Sequence, residues 1–248
     1  MKGLLAVMAI TAGVIALTTQ SGLASVGPYL GTGYDASSFQ CSRGAPNPID
    51  PAFSSFAIVR VTGGRPFTVD TCRQALWNQA VSGTTSPPSL YVNVAYSGAY
   101  GKQVSGACAN VTSTAGYAGK YLNAYRIGCA ESQYAFAQIA TGRATPKAWW
   151  LDVETGNSWS SSDRRLNEAA IQGAADRLKA FSGGAVGVYS YAASWNTITS
   201  GSGFAPASAS ASWVAGVTNC RSSFSAALAQ WLYQSGTTSG GADADYAC

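Results

Sequence analysis

The sequence contains no histidine among its 248 residues. That absence excludes hydrolases with Ser-His-Asp or Cys-His catalysis, HExxH metalloproteases and metal sites built on histidine ligands. Charged residues are also scarce, at 10% of the chain, and the net charge is only +4. The chain is therefore neither a coiled coil nor a charged disordered tail. Because no basic run is present, a nucleic-acid partner is not expected.

The first residues have the order of a secretory signal peptide. Lys2 gives a positive start, residues 3–17 are apolar, and small residues lead to Ala24. This pattern predicts a signal peptide over residues 1–24 and one mature domain over 25–248. The alternative is a membrane anchor, but the apolar run is short for a span of roughly 20 residues and no basic cluster follows it. The mature protein is thus expected to be secreted and free of the membrane.

Six cysteines lie in the expected mature part, and an even number in an exported chain predicts three disulfides. Six cysteines allow fifteen pairings, among which the sequence does not decide. Closeness along the chain favours Cys41–Cys72, Cys108–Cys129 and Cys220–Cys248. No CxxC spacing is present, so a thiol nucleophile is not expected, nor is a metal or cofactor.

Short β-rich segments alternate with helical patterns along the mature chain. The predicted strands cover residues 55–61, 89–95, 148–154, 185–191, 212–217 and 228–234. The predicted helices cover residues 69–81, 117–140 and 161–181, the last with Asp163 as a possible cap. Alternation of this kind indicates an α/β fold with a largely parallel sheet. A single TIM-like β/α barrel fits the length.

Two acidic residues end the apolar segment Ala-Trp-Trp-Leu-Asp-Val-Glu. Strand alternation places Asp152 and Glu154 on one face with Trp150. Their Cα atoms would be roughly 6.6 Å apart, so the two carboxyls would not both ionise easily. One pKa should rise, which suits a general acid at neutral pH. The alternative is two solvated acids at the start of a polar loop.

Two further acids lie in glycine-rich segments near the two ends of the mature chain. Asp35 is in Gly-Tyr-Asp-Ala-Ser, and Asp243 is in Gly-Gly-Ala-Asp. Because the first and last strands of a barrel are neighbours, both acids could join Asp152 and Glu154 at one mouth. The alternative for each is an Asx-turn. Among the other acids, Asp70 is expected at a helix start and Glu131 at an exposed helix position.

Six segments, in order from Gly33 to Asp245, resemble glycoside hydrolase family 25, the lysozyme-type muramidases. GYDASSFQ resembles the family's G-x-D-x-S-x-x-Q opening, and WLDVE resembles its D-x-E strand. The others are FAIVRVTGG, VGVYSYAASW, SWVAGV and WLYQSGTTSGGADAD. Each segment is short, but their common order covers nearly the whole mature chain.

The resemblance implies an irregular β/α barrel that hydrolyses the β-1,4 bond between N-acetylmuramic acid and N-acetylglucosamine in peptidoglycan. Carried over by position, Glu154 is the general acid and Asp152 orients the substrate N-acetyl group or stabilises an oxocarbenium-like centre. Asp35 and Asp243 would tune Glu154 and hold water. The expected partner is peptidoglycan or a related polysaccharide, and the expected state is a monomer.

Aromatic faces stack on pyranose rings, so aromatic residues near the acids are candidates for sugar binding. The substrate-binding candidates are Trp150, Tyr91, Asn93, Tyr189, Tyr191, Trp213 and Tyr233. The alternative for each aromatic residue is packing within the barrel or against a helix.

The sequence departs from the family pattern at positions near the expected cleft. The third strand lacks the family's histidine and reads Tyr91-Val92-Asn93, the closing glutamine aligns with Leu232, and the final asparagine with Asp245. These departures leave two alternatives open. One is a secreted glycan-binding protein that has lost catalysis, and the other is a glycosidase acting on another polysaccharide.

Overall fold

A closed barrel of eight strands forms the centre of the structure, a computed structural model that describes residues 27–112, 116–140 and 145–248. The predicted signal peptide, residues 1–24, lies outside the described residues. The barrel strands are β1 (Thr32–Ala36), β4 (Phe56–Arg60), β5 (Ser89–Asn93), β6 (Ala148–Asp152), β7 (Ala185–Ser190), β8 (Ala211–Ala215), β9 (Ala229–Thr237) and β10 (Asp243–Ala247). A separate small hairpin pairs β2 (Cys41–Ser42) with β3 (Ala45–Pro46).

The barrel is mostly parallel, as the alternation of elements predicted. Strands β1 and β4 to β9 run parallel to one another around the ring. Strand β10 closes the ring and is antiparallel to both of its neighbours, β9 and β1. The first and last barrel strands are therefore adjacent, which confirms the TIM-like arrangement expected from the sequence.

The ring of helices is irregular. The helices are α1 (Arg73–Gly83), α2 (Gly106–Ala109), α3 (Lys120–Ala140), α4 (Arg164–Ser182) and α5 (Ala192–Ile198). Helix α1 connects β4 to β5, α2 and α3 connect β5 to β6, α4 connects β6 to β7, and α5 connects β7 to β8. The fully described connections after β8 and β9 contain no helix, and β1 is followed by the small hairpin.

Side chains that alternate along the strands fill two separate cores. The barrel interior contains Phe56, Ile58, Trp150, Trp213 and Leu232. A side chain on Gly187 would lie 2.2–2.9 Å from the Trp150 ring, so β7 can pass that ring only with glycine at this position. The outward-facing residues of the same strands pack beneath the helices in a second core.

Helices α3 and α4 pack closely because each has a glycine at the crossing. A Cβ on Gly128 would lie 1.7 Å from the carbonyl oxygen of Ala170, and a Cβ on Gly173 would lie 2.0 Å from that of Tyr125. The two backbones therefore approach more closely than larger side chains would permit.

The three predicted disulfides are all present: Cys41–Cys72, Cys108–Cys129 and Cys220–Cys248. They join the β2 hairpin to the start of α1, α2 to α3, and the loop after β8 to the residue that follows β10. Among the described residues, none of the helices has the length and hydropathy that a membrane span requires.

Two side chains on the helices differ from the sequence-based expectation. Glu131 is buried, at 3% exposure, and its Oε2 accepts a hydrogen bond from the Ala95 N–H, so the expectation of an exposed acid was wrong. Asp163 does precede α4, but its carboxylate forms an ion pair with Lys120, and no side-chain capping bond is present.

Candidate active site

A cavity of about 380 Å³ opens at the carboxyl ends of the parallel barrel strands. Polar residues end these strands: Arg60 on β4, Asn93 on β5 and Asp152 on β6. Because β10 is antiparallel, its first residue, Asp243, lies at the same end. The cavity is lined by Asp35, Ser37, Phe39, Gln40, Arg60, Gly64, Tyr91, Asn93, Asp152, Glu154, Gly156, Asn157, Tyr189, Trp213, Gln234 and Asp243. All four acids selected from the sequence therefore line one cavity.

Asp35 is held by a chain of hydrogen bonds that crosses the barrel. Its Oδ2 accepts a hydrogen bond of 2.7 Å from Nε2 of Gln234 on β9. Oε1 of Gln234 in turn accepts a bond of 2.8 Å from the Tyr189 hydroxyl on β7. Burial and the charge of neighbouring Asp243 raise the pKa of Asp35 well above its usual range, while the bond from Gln234 lowers it.

Asp152 is positioned by its neighbour in register on β5. Nδ2 of Asn93 donates to Oδ2 of Asp152, and the Thr62 hydroxyl donates to Oδ1 of Asn93 at 2.7 Å, which fixes the orientation of the amide. Oδ1 of Asp152 is buried without a hydrogen-bond partner among the described residues. Burial, and then the charges of Glu154 and Asp35, raise the pKa of Asp152 well above its usual range.

Glu154 lies two residues beyond the end of β6 and is half-buried. Burial raises its pKa, a polar interaction with Asp152 opposes this rise, and the negative charge of Asp243 adds to it. The pKa of Asp243 is itself raised by burial. The cavity therefore gathers carboxyls that cannot all ionise at once, so one of them retains a proton at higher pH than a free acid would.

Arg60 is the one cationic side chain among the residues that line the cavity. Its Nε and Nη2 both lie 3.0 Å from Oδ2 of buried Asp70, and Nη2 also donates to the Ser38 hydroxyl. Its positive charge lowers the pKa values of Asp35 and Asp152, in opposition to burial. Arg60 therefore partly offsets the negative charge of the acids while remaining fixed by its own partner.

The structure brings four of the seven substrate-binding candidates into the cavity: Tyr91, Asn93, Tyr189 and Trp213. The Tyr189 ring lies 4.4 Å from the Trp213 ring between centroids, and Tyr91 meets Trp213 edge-on at 6.2 Å. Trp213 also donates from its Nε1 to the buried carboxyl of Asp245. These rings line the cavity from strands β5, β7 and β8.

The other three candidates are not among the residues that line this cavity. Trp150 is fully buried in the barrel interior, where its Nε1 donates to the Tyr29 hydroxyl. Tyr191 follows the end of β7 and leads into α5. Tyr233 stacks on Tyr246 at 4.8 Å between ring centroids and lies beside Gln234, which occupies the cavity instead. Alternation gives the side of a strand but not the depth of a residue along the barrel.

Sequence reasoning missed Gln234, Arg60 and Phe39 as lining residues. Leu232, the position aligned with the family's closing glutamine, is buried in the interior. Alternation along β9 would have placed Gln234 on the same face, two residues nearer the mouth. A single arginine at the end of the apolar segment Phe-Ala-Ile-Val-Arg was the corresponding signal for Arg60.

No protein-family model and no curated protein matches this sequence. Solved structures do match the fold. A family GH25 lysozyme from Aspergillus fumigatus aligns with a TM-score of 0.60 at 14% identity, covering 88% of this chain and 93% of that one. A muramidase from Trichobolus zukalii gives 0.59 at 17% identity, with coverage of 88% and 93%. A bacterial lysozyme from Streptomyces coelicolor gives 0.58 at 18% identity, with coverage of 89% and 93%. The chain therefore has the fold of the GH25 lysozymes and muramidases.

Proposed function

We propose that this protein is a divergent member of glycoside hydrolase family 25 that cleaves the β-1,4 bond between N-acetylmuramic acid and N-acetylglucosamine in peptidoglycan. The observation that carries the proposal is the convergence of Asp35, Asp152, Glu154 and Asp243 in one open cavity. These acids come from β1, from the end of β6 and from β10. A protein that only bound glycan would not require four mutually repelling carboxyls at one point.

Glu154 is the general acid in this proposal. Burial raises its pKa and so favours the protonated form that a general acid needs, and its half-buried position leaves it open to the cavity. The proton would pass to the oxygen of the glycosidic bond as that bond breaks. A water molecule would then add its oxygen to the anomeric carbon of N-acetylmuramic acid, and the proton that it releases would restore the acid form of Glu154. The negative charge of Asp243 supports this role because it favours the protonated form of Glu154.

Asp152 would orient the substrate. The bond from Asn93 fixes its carboxyl, which lines the cavity with the Oδ1 atom buried. In this proposal the Asp152 carboxyl orients the N-acetyl group of the substrate and stabilises positive charge that develops on the sugar ring. Asp35, held by Gln234, would help to retain water and to keep the proton on Glu154.

The solved structures with this fold support a glycan substrate. The three solved structures described in the previous subsection are two lysozymes and a muramidase. The modular autolysin LytC of Streptococcus pneumoniae, which has the same fold, has been solved in complex with a synthetic peptidoglycan ligand. LytC aligns with a TM-score of 0.57 at 17% identity over 46% of its own length. In our proposal, Tyr91 and Tyr189 provide the apolar surface for the sugar rings, and buried Trp213 packs against both of them.

We further propose that the protein acts outside the cell as a monomer. Three disulfides cross-link segments outside the barrel strands, and such bonds persist in oxidising compartments. The charged, apolar and small-residue order of residues 1–24 supports the same location.

The test is digestion of a purified peptidoglycan suspension, followed by turbidity and by the release of reducing ends. The wild-type protein should clear the suspension, and mass spectrometry should find fragments that end in N-acetylmuramic acid. Glu154→Gln should abolish product formation, whereas the matched change Glu168→Gln on α4 should leave it unchanged. Full activity of Glu154→Gln would reject Glu154 as the acid. Saturable binding of glycan by the wild type without any product would reject the hydrolase.

A further inference from the structure

Phe39 is the one exposed aromatic ring at the cavity. Among the described residues, the exposed large apolar side chains are Leu30, Phe39 and Val81, and of these only Phe39 lines the cavity. Its side chain is 84% exposed. Single exposed apolar residues are common on protein surfaces. Its position at the cavity distinguishes Phe39 from the other two.

The backbone around Phe39 is held by hydrogen bonds within its own turn. Residues 38–40 form a single 3₁₀ turn, and Ser37 and Gln40 form a reciprocal capping box around it. The Ser37 N–H donates to Oε1 of Gln40 at 2.9 Å. Nε2 of Gln40 also donates to the Gly241 carbonyl oxygen at 3.2 Å, which joins the turn to the chain just before β10.

A second set of contacts fixes the same turn to β4 and α1. The Ser38 N–H donates to Oδ2 of Asp70 at 2.8 Å, and Nη2 of Arg60 donates to the Ser38 hydroxyl at 3.0 Å. The disulfide between Cys41 and Cys72 joins the residue after the turn to the residue before α1. These contacts therefore fix the backbone from which the Phe39 ring projects at the cavity.

The ring itself contacts a cation on one side and solvent on the others. The Arg60 guanidinium carbon lies 5.4 Å from the centroid of the Phe39 ring. The Arg60 side chain is fixed on that side of the ring by its ion pair with the Asp70 carboxylate. Gly64, which also lines the cavity, has a φ of +84°, so glycine is favoured there and no side chain narrows the space near Arg60.

We propose that Phe39 is a stacking platform for one pyranose ring of the glycan, outside the pair of sugars whose bond is cleaved. Phe39 follows β1, whereas Glu154 follows β6, so the two residues line the cavity from different strands of the ring. A phenyl ring has no polar group, and it would recognise the apolar face of a hexosamine rather than a particular substituent. The inference rests on the proposed function and adds a binding position that lengthens the recognised strand.

The test measures binding separately from cleavage. In the Glu154→Gln background, calorimetry would record the affinity for peptide-free glycan strands of four and eight sugars. Phe39→Ala should weaken the affinity for the octasaccharide about fivefold. It should therefore reduce the ratio between the affinities for the strands of eight and four sugars. Phe39→Trp should retain that advantage. Leu30→Ala, which removes an exposed apolar side chain away from the cavity, is the matched control and should leave both affinities unchanged.

Kinetics of the otherwise wild-type enzyme provide a second measurement. Phe39→Ala should raise KM for long strands with kcat nearly unchanged, because the proposed sugar position lies outside the two sugars whose bond breaks. If Phe39→Ala in the Glu154→Gln background bound both strand lengths with the same affinity as Glu154→Gln alone, Phe39 would not be a stacking platform. The proposed function would be unaffected by that result. If the wild-type protein neither binds nor cleaves these strands, the proposed function fails and the platform fails with it.

Discussion

Asp35 on β1 and Asp243 on β10 are directly opposite each other in the antiparallel pair that closes the barrel. The pairing places side by side two acids from nearly opposite ends of the described chain, and both line the cavity with Glu154. The charge of Asp243 raises the pKa values of both Asp35 and Glu154. An acid on β10 thus raises the pKa of one acid on β1 and of another just beyond the end of β6.

Replacing Asp243 by asparagine should narrow the active pH range of the enzyme. The negative charge of Asp243 raises the pKa of Glu154, so its removal should lower that pKa. Because the general acid must be protonated, activity should then be lost at a lower pH on the alkaline side. The measurement is kcat/KM against pH on soluble glycan strands. Asp163→Asn, at the surface before α4, should leave the profile unchanged, and an unshifted profile in Asp243→Asn would contradict the coupling.

Gln234 should matter for activity although it carries no charge. Gln234→Leu removes the bond that favours the ionised form of Asp35, so the pKa of Asp35 should rise further. A lost hydrogen bond to a charged group is worth about 1.5–3 kcal/mol, which corresponds to a loss of about tenfold or more in kcat/KM. Carbon-13 NMR titration of labelled aspartates would follow the pKa directly. Gln230→Leu, at a buried position outside the cavity, is a control on the same strand, and equal losses in both variants would count against a specific role for Gln234.

Glu131→Gln should make the folded protein more stable at neutral and alkaline pH. Burial raises the pKa of Glu131 well above its usual value, so the unfolded chain releases the proton more readily than the folded chain. The wild type therefore loses stability as the pH rises above the unfolded value of about 4.3. The variant should show a higher free energy of unfolding at pH 7, and the gain should vanish below about pH 4. Urea unfolding at several pH values measures this. An equal gain at pH 3 would contradict the titration as its cause.

Gly187→Ala should destabilise the barrel. A Cβ at this position would lie 2.2–2.9 Å from the buried Trp150 ring, and overpacking of this kind costs about 1–3 kcal/mol. The control is Gly203→Ala, since a Cβ there would meet no atom within 4 Å. Denaturant unfolding should separate the two variants. If Gly187→Ala and Gly203→Ala had similar free energies of unfolding, the Trp150 ring would not pack against Gly187 in the barrel interior.

The sequence predicted much of the fold because its patterns are local. Alternation along residues 148–154 correctly separated inward-facing Asp152 from outward-facing Leu151. The strand predicted over residues 55–61 is present as Phe56–Arg60, and the helix predicted over residues 161–181 as Arg164–Ser182. Helix α5 was missed because the seven residues of Ala192–Ile198 are too few to show a clear helical period.

Only the tertiary structure decided which residues meet and how deep each one lies. The sequence determined that Asp152 and Glu154 follow an apolar segment and lie on one face of its strand, since side chains alternate between the two faces along a strand. Ring closure decided that Asp35 and Asp243 join them, because that pairing links strands that are distant in the chain. Depth along the barrel depends on the stagger of all eight strands, and therefore Trp150 lies beneath the cavity while Gln234 reaches into it.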